Sequence, residues 1–201
     1  MKKLMYVMLC VGLGMVLCGT AQANLLVDPG FEGAVFSGDI PLPWIAVPPF
    51  PGATVGAETW AARTGTYGMA VYWWSNGGTG SFYQDVAVSA GTSYDYSIYT
   101  RRDPGVLAGI VEMKIEWYGD ELLGTTSLDI TGLIPPEPSP WVQVSLIGEA
   151  PAGADVARVM ISATAVDKAL KFDDSFFDII PEPATMALLG LGSLFLARRR
   201  K

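Results

Sequence analysis

The chain has 201 residues, room for one globular domain, and it carries 13 Lys and Arg, 20 Asp and Glu, no histidine and two cysteines. Without histidine there is no Ser-His-Asp or Cys-His catalysis and no histidine metal site. Both cysteines (Cys10 and Cys18) and six of the 13 basic residues sit at the extreme ends, so the middle has seven basic against 20 acidic residues, a net charge of −13, with no thiol nucleophile, structural zinc or disulfide framework and too few dispersed cations to hold nucleic acid.

In chain order, residues 1–23 read as a signal peptide. Lys2 and Lys3 form the positive start, Leu4 to Leu17 the apolar stretch, and Ala21-Gln22-Ala23 the small-x-small site at which signal peptidase is expected to cut, after Ala23. About 14 apolar residues are too few for a bilayer span. Both cysteines leave with this segment.

Residues 24–180 read as one domain of short strands broken by turn signals such as Asp28-Pro29-Gly30, Asn76-Gly77-Gly78, Asp103-Pro104-Gly105 and Pro151-Ala152-Gly153. Strands are expected near 54–60, 67–74, 80–88, 94–99, 111–118, 122–129, 141–148, 156–164 and 170–179. Alternation assigns Tyr94, Tyr96 and Ile98, and then Val111, Met113, Ile115 and Trp117, to a core, with Glu112, Lys114, Glu116 and Tyr118 outside. Nine or ten such strands predict an all-β fold, an antiparallel two-sheet sandwich. Residues 41–53 and 134–140, rich in proline, read as long loops.

The C-terminus runs Pro181-Glu182-Pro183, then an apolar stretch from Met186 to Ala197 expected to be a short hydrophobic helix, then Arg198-Arg199-Arg200-Lys201. The basic end stays cytoplasmic under the positive-inside rule, and twelve apolar residues suit transient membrane insertion better than a permanent anchor. This tripartite tail, residues 181–201, resembles the PEP-CTERM sorting signal of Gram-negative bacteria that make exopolysaccharide. The resemblance implies recognition by a membrane enzyme, exosortase, and processing near the Pro-Glu-Pro.

The domain itself opens with Leu25-Leu26-Val27-Asp28-Pro29-Gly30-Phe31-Glu32, soon reaches Trp44, carries Tyr83-Gln84-Asp85-Val86 in its middle, and closes with Trp141, Ala150-Pro151-Ala152-Gly153 and Phe172-Asp173-Asp174. In this order the landmarks resemble the jelly-roll, galactose-binding-like carbohydrate-binding modules. The resemblance implies a structural calcium where first and last strands meet, held by Glu32 and by Asp173 or Asp174, which strand alternation puts on opposite faces; carbonyls of the loop Arg63 to Gly68 would complete it. A second reading stays open, in which these carboxylates cap turns or are solvated and no metal binds.

Sugar rings stack on aromatic side chains. Tyr72, Trp73 and Trp74 are consecutive and cannot all be buried in one strand, so at least one ring faces out or lies under a loop. With Tyr83, Gln84, Tyr99, Arg101 and Tyr118, which fall on polar sides or at strand ends, they form the candidate ligand-binding set; Trp117 and Trp141 read as core. Glu112 and Glu116 lie on one strand face with Lys114 between them, the pattern of a solvated sheet face and not of a glycosidase pair. The expectation is an exported, non-enzymatic carbohydrate-binding protein of the envelope or biofilm matrix. Its acidic surface favours neutral over anionic polysaccharide. A structural matrix protein without a sugar ligand, and less so a small glycosidase, are the alternatives.

Overall fold

The computed structural model describes residues 23–47, 53–73 and 78–181, the side chain of Trp73 excepted. The signal peptide before Ala23, Trp74, and the sorting tail beyond Pro181 lie outside the described residues.

Asn24–Ile179 form one compact unit of ten strands. They are β1 (Ile45–Val47), β2 (Ala53–Glu58), β3 (Gly68–Trp73), β4 (Gly78–Ala87), β5 (Ser93–Arg102), β6 (Ile110–Tyr118), β7 (Leu122–Asp129), β8 (Val142–Glu149), β9 (Val156–Val166) and β10 (Leu170–Ile179). Two five-stranded sheets result, ordered β1-β4-β9-β6-β7 and β2-β3-β10-β5-β8, and every strand pairing is antiparallel. The expected jelly-roll sandwich is therefore the observed fold. β1 was not foreseen: three residues inside a proline-rich loop carry too little alternation to register.

The period-two pattern explains the packing. Tyr94, Tyr96 and Ile98 on β5 and Val111, Met113, Ile115 and Trp117 on β6 are buried, while Glu112, Lys114, Glu116 and Tyr118 face away from the core. Phe82 of β4 sits among the rings of Phe31, Trp44 and Phe172 at centroid separations of 5.9, 5.8 and 5.6 Å. Each such buried ring contributes roughly 2–3 kcal/mol. Across the other half of the core, Tyr94 stacks on Phe177 at 5.0 Å.

The start of the domain is fastened to its end. Leu25 N–H donates to the Phe177 carbonyl, the Asn24 side chain bonds both Ser175 O and Phe177 N, and Ser175 N–H donates to Pro29 O. Residues 24–29 thus run beside the second half of β10.

Candidate functional site

On the outward side of the sheet β2-β3-β10-β5-β8, Glu58 of β2 and Tyr72 of β3 line a cleft of about 830 Å3 together with Trp60, Asp103, Pro104 and the turn Asp167–Ala169. A 3-10 turn at Thr59–Ala61 closes β2 and buries Ala61, which leaves Trp60 42 % exposed at the rim, edge-on to Tyr72 with centroids 5.4 Å apart. Tyr72 donates its hydroxyl to Glu58 Oε1 at 2.8 Å. Burial, and then the Glu58 hydrogen bond and charge, push the Tyr72 phenol up to about 12, so it is a fixed donor and not an acid at neutral pH.

Beside the cleft runs a charged relay. Lys171 of β10 is buried, with Nζ 2.7 Å from Glu137 and 3.2 Å from Asp103, and lies 5.2 Å from the Trp60 ring. Arg101 of β5 meets the same Glu137 at 2.8 Å and rests 4.9 Å from the Trp141 ring. The Lys171 hydrogen bond, with help from the charges of Lys171 and Arg101, holds the Glu137 carboxyl below its usual range. The loop carrying Glu137 is fixed by two backbone bonds to Arg102, through Pro135 O and Glu137 N.

The expected ligand set is divided by the fold. Tyr72, Tyr99 and Arg101 share this outward face, but the Arg63 guanidinium, 3.6 Å from the Tyr99 ring centre, already covers one face of that ring. Tyr83 and Tyr118 lie on the outward face of the other sheet, where Arg158 sits 3.9 and 5.1 Å from their rings and pairs with Asp85. Gln84 corrects the reading that put it on a polar side. It is 2 % exposed, and its amide accepts from Val27 N–H and donates to Val27 O. A polar residue at an inward position is tolerated because both amide atoms are bonded. Trp117 is core as expected, but Trp141 is half-buried against Arg101 just before β8. Trp60, Glu58, Lys171 and Glu137 were missed. A signal for Lys171 existed, since a cation between buried Leu170 and Phe172 must point out of the core.

Glu112 is paired with Lys114 at 2.8 Å and Glu116 accepts from Tyr118, the ordinary arrangement of a sheet face.

The three candidate metal carboxylates do meet one loop, residues 63–67. Asp173 is fully buried and accepts from the amides of Arg63, Thr64 and Asp174. Glu32 accepts from Thr66 and Tyr67 and leaves no room for a side chain at Gly65 (φ +63), where a Cβ would stand 2.1 Å from its oxygen. The opposite-face expectation for Asp173 and Asp174 fails. A bulge between Asp173 and Phe176, with Asp174 at φ +48, breaks the alternation and turns Asp174 onto Arg63 and Thr64.

Three carboxylates face one guanidinium here, and burial, against the hydrogen bonds of the loop amides, holds the Asp173 carboxyl up to about 6. Among the described residues, no group of three or more acidic side chains is close enough to hold a metal alone. Asp174 is engaged by Arg63 and Thr64, while Glu32 and Asp173 meet the 63–67 loop through its amides and not through the carbonyls expected of a metal site.

Residues 180–201 match the family model of the PEP-CTERM protein-sorting motif. No curated protein sequence matches the chain. Among solved structures, TmCBM61 in complex with beta-1,4-galactotriose is similar over 79 % of this chain and 99 % of its own, at 18 % identity and TM-score 0.55. A family 16 carbohydrate-binding module is similar over 77 % and 99 %, also at 18 % and 0.55. The enzymatically active domain of tailspike protein 4 from bacteriophage CBA120 is similar over 78 % of this chain at 11 % identity and TM-score 0.62, but the match spans only 21 % of that chain. The chain carries a PEP-CTERM sorting motif at its C-terminus, and its domain has the jelly-roll fold of carbohydrate-binding modules.

Proposed function

We propose that the protein is an exported, non-catalytic carbohydrate-binding protein whose ligand lies along the outward face of the sheet β2-β3-β10-β5-β8. The observation that carries this reading is the cleft between Trp60, Tyr72 and the Asp103 and Asp167 turns, where an exposed indole edge stands beside hydrogen-bonding side chains. Stacking needs such an aromatic platform, and selectivity needs fixed polar groups next to it. Arg101, Lys171 and Glu137 extend the polar surface towards Trp141. Of the residues expected from sequence, Tyr72 and Arg101 remain in this site.

Signal peptidase removes residues 1–23, exosortase recognises the tail, and the domain is delivered to the cell surface or extracellular matrix. Glu32 and Asp173 hold a structural calcium that ties the first segment, the 63–67 loop and β10 together. Chelation then lowers the melting temperature of the purified domain; an unchanged transition removes the calcium.

Glycan-array binding of residues 24–180, compared with Trp60→Ala, tests the main reading. Retention of a glycan by the wild type and its loss in the variant, at unchanged melting temperature, is the expected result. No retained glycan, or equal binding by the variant, overturns the site. Polysaccharide turnover by the wild type overturns the non-catalytic assignment.

A further inference from the structure

The carboxylates that line the cleft are not equally neutralised. Asp103 has Lys171 at 3.2 Å and Asp167 has Lys168 at 3.2 Å. Glu58 is the most buried of the three, 7 % exposed, and among the described residues it forms no ion pair; its hydrogen-bond donor is the neutral hydroxyl of Tyr72. The phenol stays neutral far above neutral pH and brings no positive charge to Glu58. Glu58 is thus a buried carboxylate with one neutral hydrogen-bond donor and no counter-ion among the described residues. It lines an open cleft next to an aromatic edge, in a domain, residues 24–180, with seven basic against 19 acidic residues, a net charge of −12.

A uronate or sulfated sugar would bring a second negative charge against the unpaired Glu58. A wholly neutral sugar would leave the Glu58 charge without a partner. An ammonium group would supply the missing countercharge through a charge-assisted hydrogen bond, and the aromatic rim favours a cation above it as well as the apolar face of a pyranose. We infer that the cleft selects glycans bearing free, protonated amino groups, an amino-sugar polymer lacking N-acetylation, with the amine held against Glu58 and the ring beside Trp60. This rests on the carbohydrate-binding reading above and names the ligand class for the same cleft.

The test is titration calorimetry of the domain with a tetramer of β-1,4-linked glucosamine and with its fully N-acetylated counterpart, at physiological salt and with the amine protonated. The amine form is expected to bind about tenfold tighter, the size of one charge-assisted hydrogen bond. Glu58→Gln, which keeps the shape and an acceptor for Tyr72, should erase that difference, whereas Asp120→Asn in the distant β6–β7 turn should preserve it. Preference that survives Glu58→Gln reflects the acidic surface at large and overturns the inference. Equal binding of both tetramers, abolished by Trp60→Ala, also overturns it but leaves the carbohydrate site standing. If neither tetramer binds, and the glycan array retains nothing either, both readings fall.

Discussion

Replacing Gln84 with leucine separates a structural amide from a ligand-binding one. Gln84 is 2 % exposed between the inward residues Phe82 and Val86 of β4, and its amide closes a two-bond ring with the backbone of Val27, at 2.8 Å from Val27 N and 2.9 Å to Val27 O. Leucine fills nearly the same volume, so cavity formation contributes little. The variant loses two hydrogen bonds, each worth about 1 kcal/mol net, and strands two backbone groups at about 1–3 kcal/mol each if they remain dry. Val27 is 59 % exposed, so water reaches this segment and takes over most of the stranding cost, leaving about 2–3 kcal/mol in all. For a domain of this size that lowers the melting temperature by roughly 4–12 °C. Scanning calorimetry reads the shift directly, and glycan binding measured well below the transition should be unchanged. A melting temperature within about 1 °C of wild type, with binding lost, would refute the structural assignment and return Gln84 to the ligand set.

With divalent ions chelated, Asp173 should make the fold less stable as pH rises. Its carboxyl is held up to about 6 in the folded state against an ordinary 3.8, so the folded protein keeps the proton longer than the unfolded chain, and the gain present below the unfolded value is lost as pH passes the folded one. Subtracting the urea-derived stability of Asp173→Asn from that of the wild type should leave a decline of up to about 3 kcal/mol between roughly pH 4 and 7; a flat or rising difference contradicts the burial argument. Gly109→Ala should destabilise by at least about 2 kcal/mol in thermal melts, because φ is +87 and the added Cβ would stand 2.4 Å from the Thr164 carbonyl oxygen. Asp85→Asn breaks the paired bonds to Arg158 at 2.8 and 2.9 Å on the far sheet face, where Asp85 is largely solvated; its cost should stay below about 1 kcal/mol and glycan binding should not change.

Strand positions were legible because burial on one sheet face imposes a period of two, which β6, β8 and β9 display plainly. The same rule misled at two places. It has no means of announcing an inward polar residue rescued by a distant backbone, as Gln84 is by Val27, because the partner lies 57 positions away. It also assumes unbroken alternation, which the bulge after Asp173 violates. The division of Tyr72 and Arg101 from Tyr83 and Tyr118 depends on which sheet each strand joins, and alternation carries no information about that. Trp141 was assigned to the core by residue type alone, while its position just ahead of β8 leaves it beside Arg101. The Glu32 and Asp173 convergence on the 63–67 loop was legible only through the resemblance, since no local pattern links residues 110 positions apart.

β10 begins at the cleft, directly after the Asp167–Ala169 turn, and ends at Ile179, where the chain leaves towards the sorting motif. A glycan gripped in the cleft and a tail held at a surface would therefore pull on opposite ends of one strand. Its first half is flanked by β3 and β5, and its second by residues 24–29 and β5. Tension along that line loads its hydrogen bonds in shear, many at once, and does not peel them off singly. On the proposed reading, β10 would carry the tension between the glycan site and the sorting tail along its whole length.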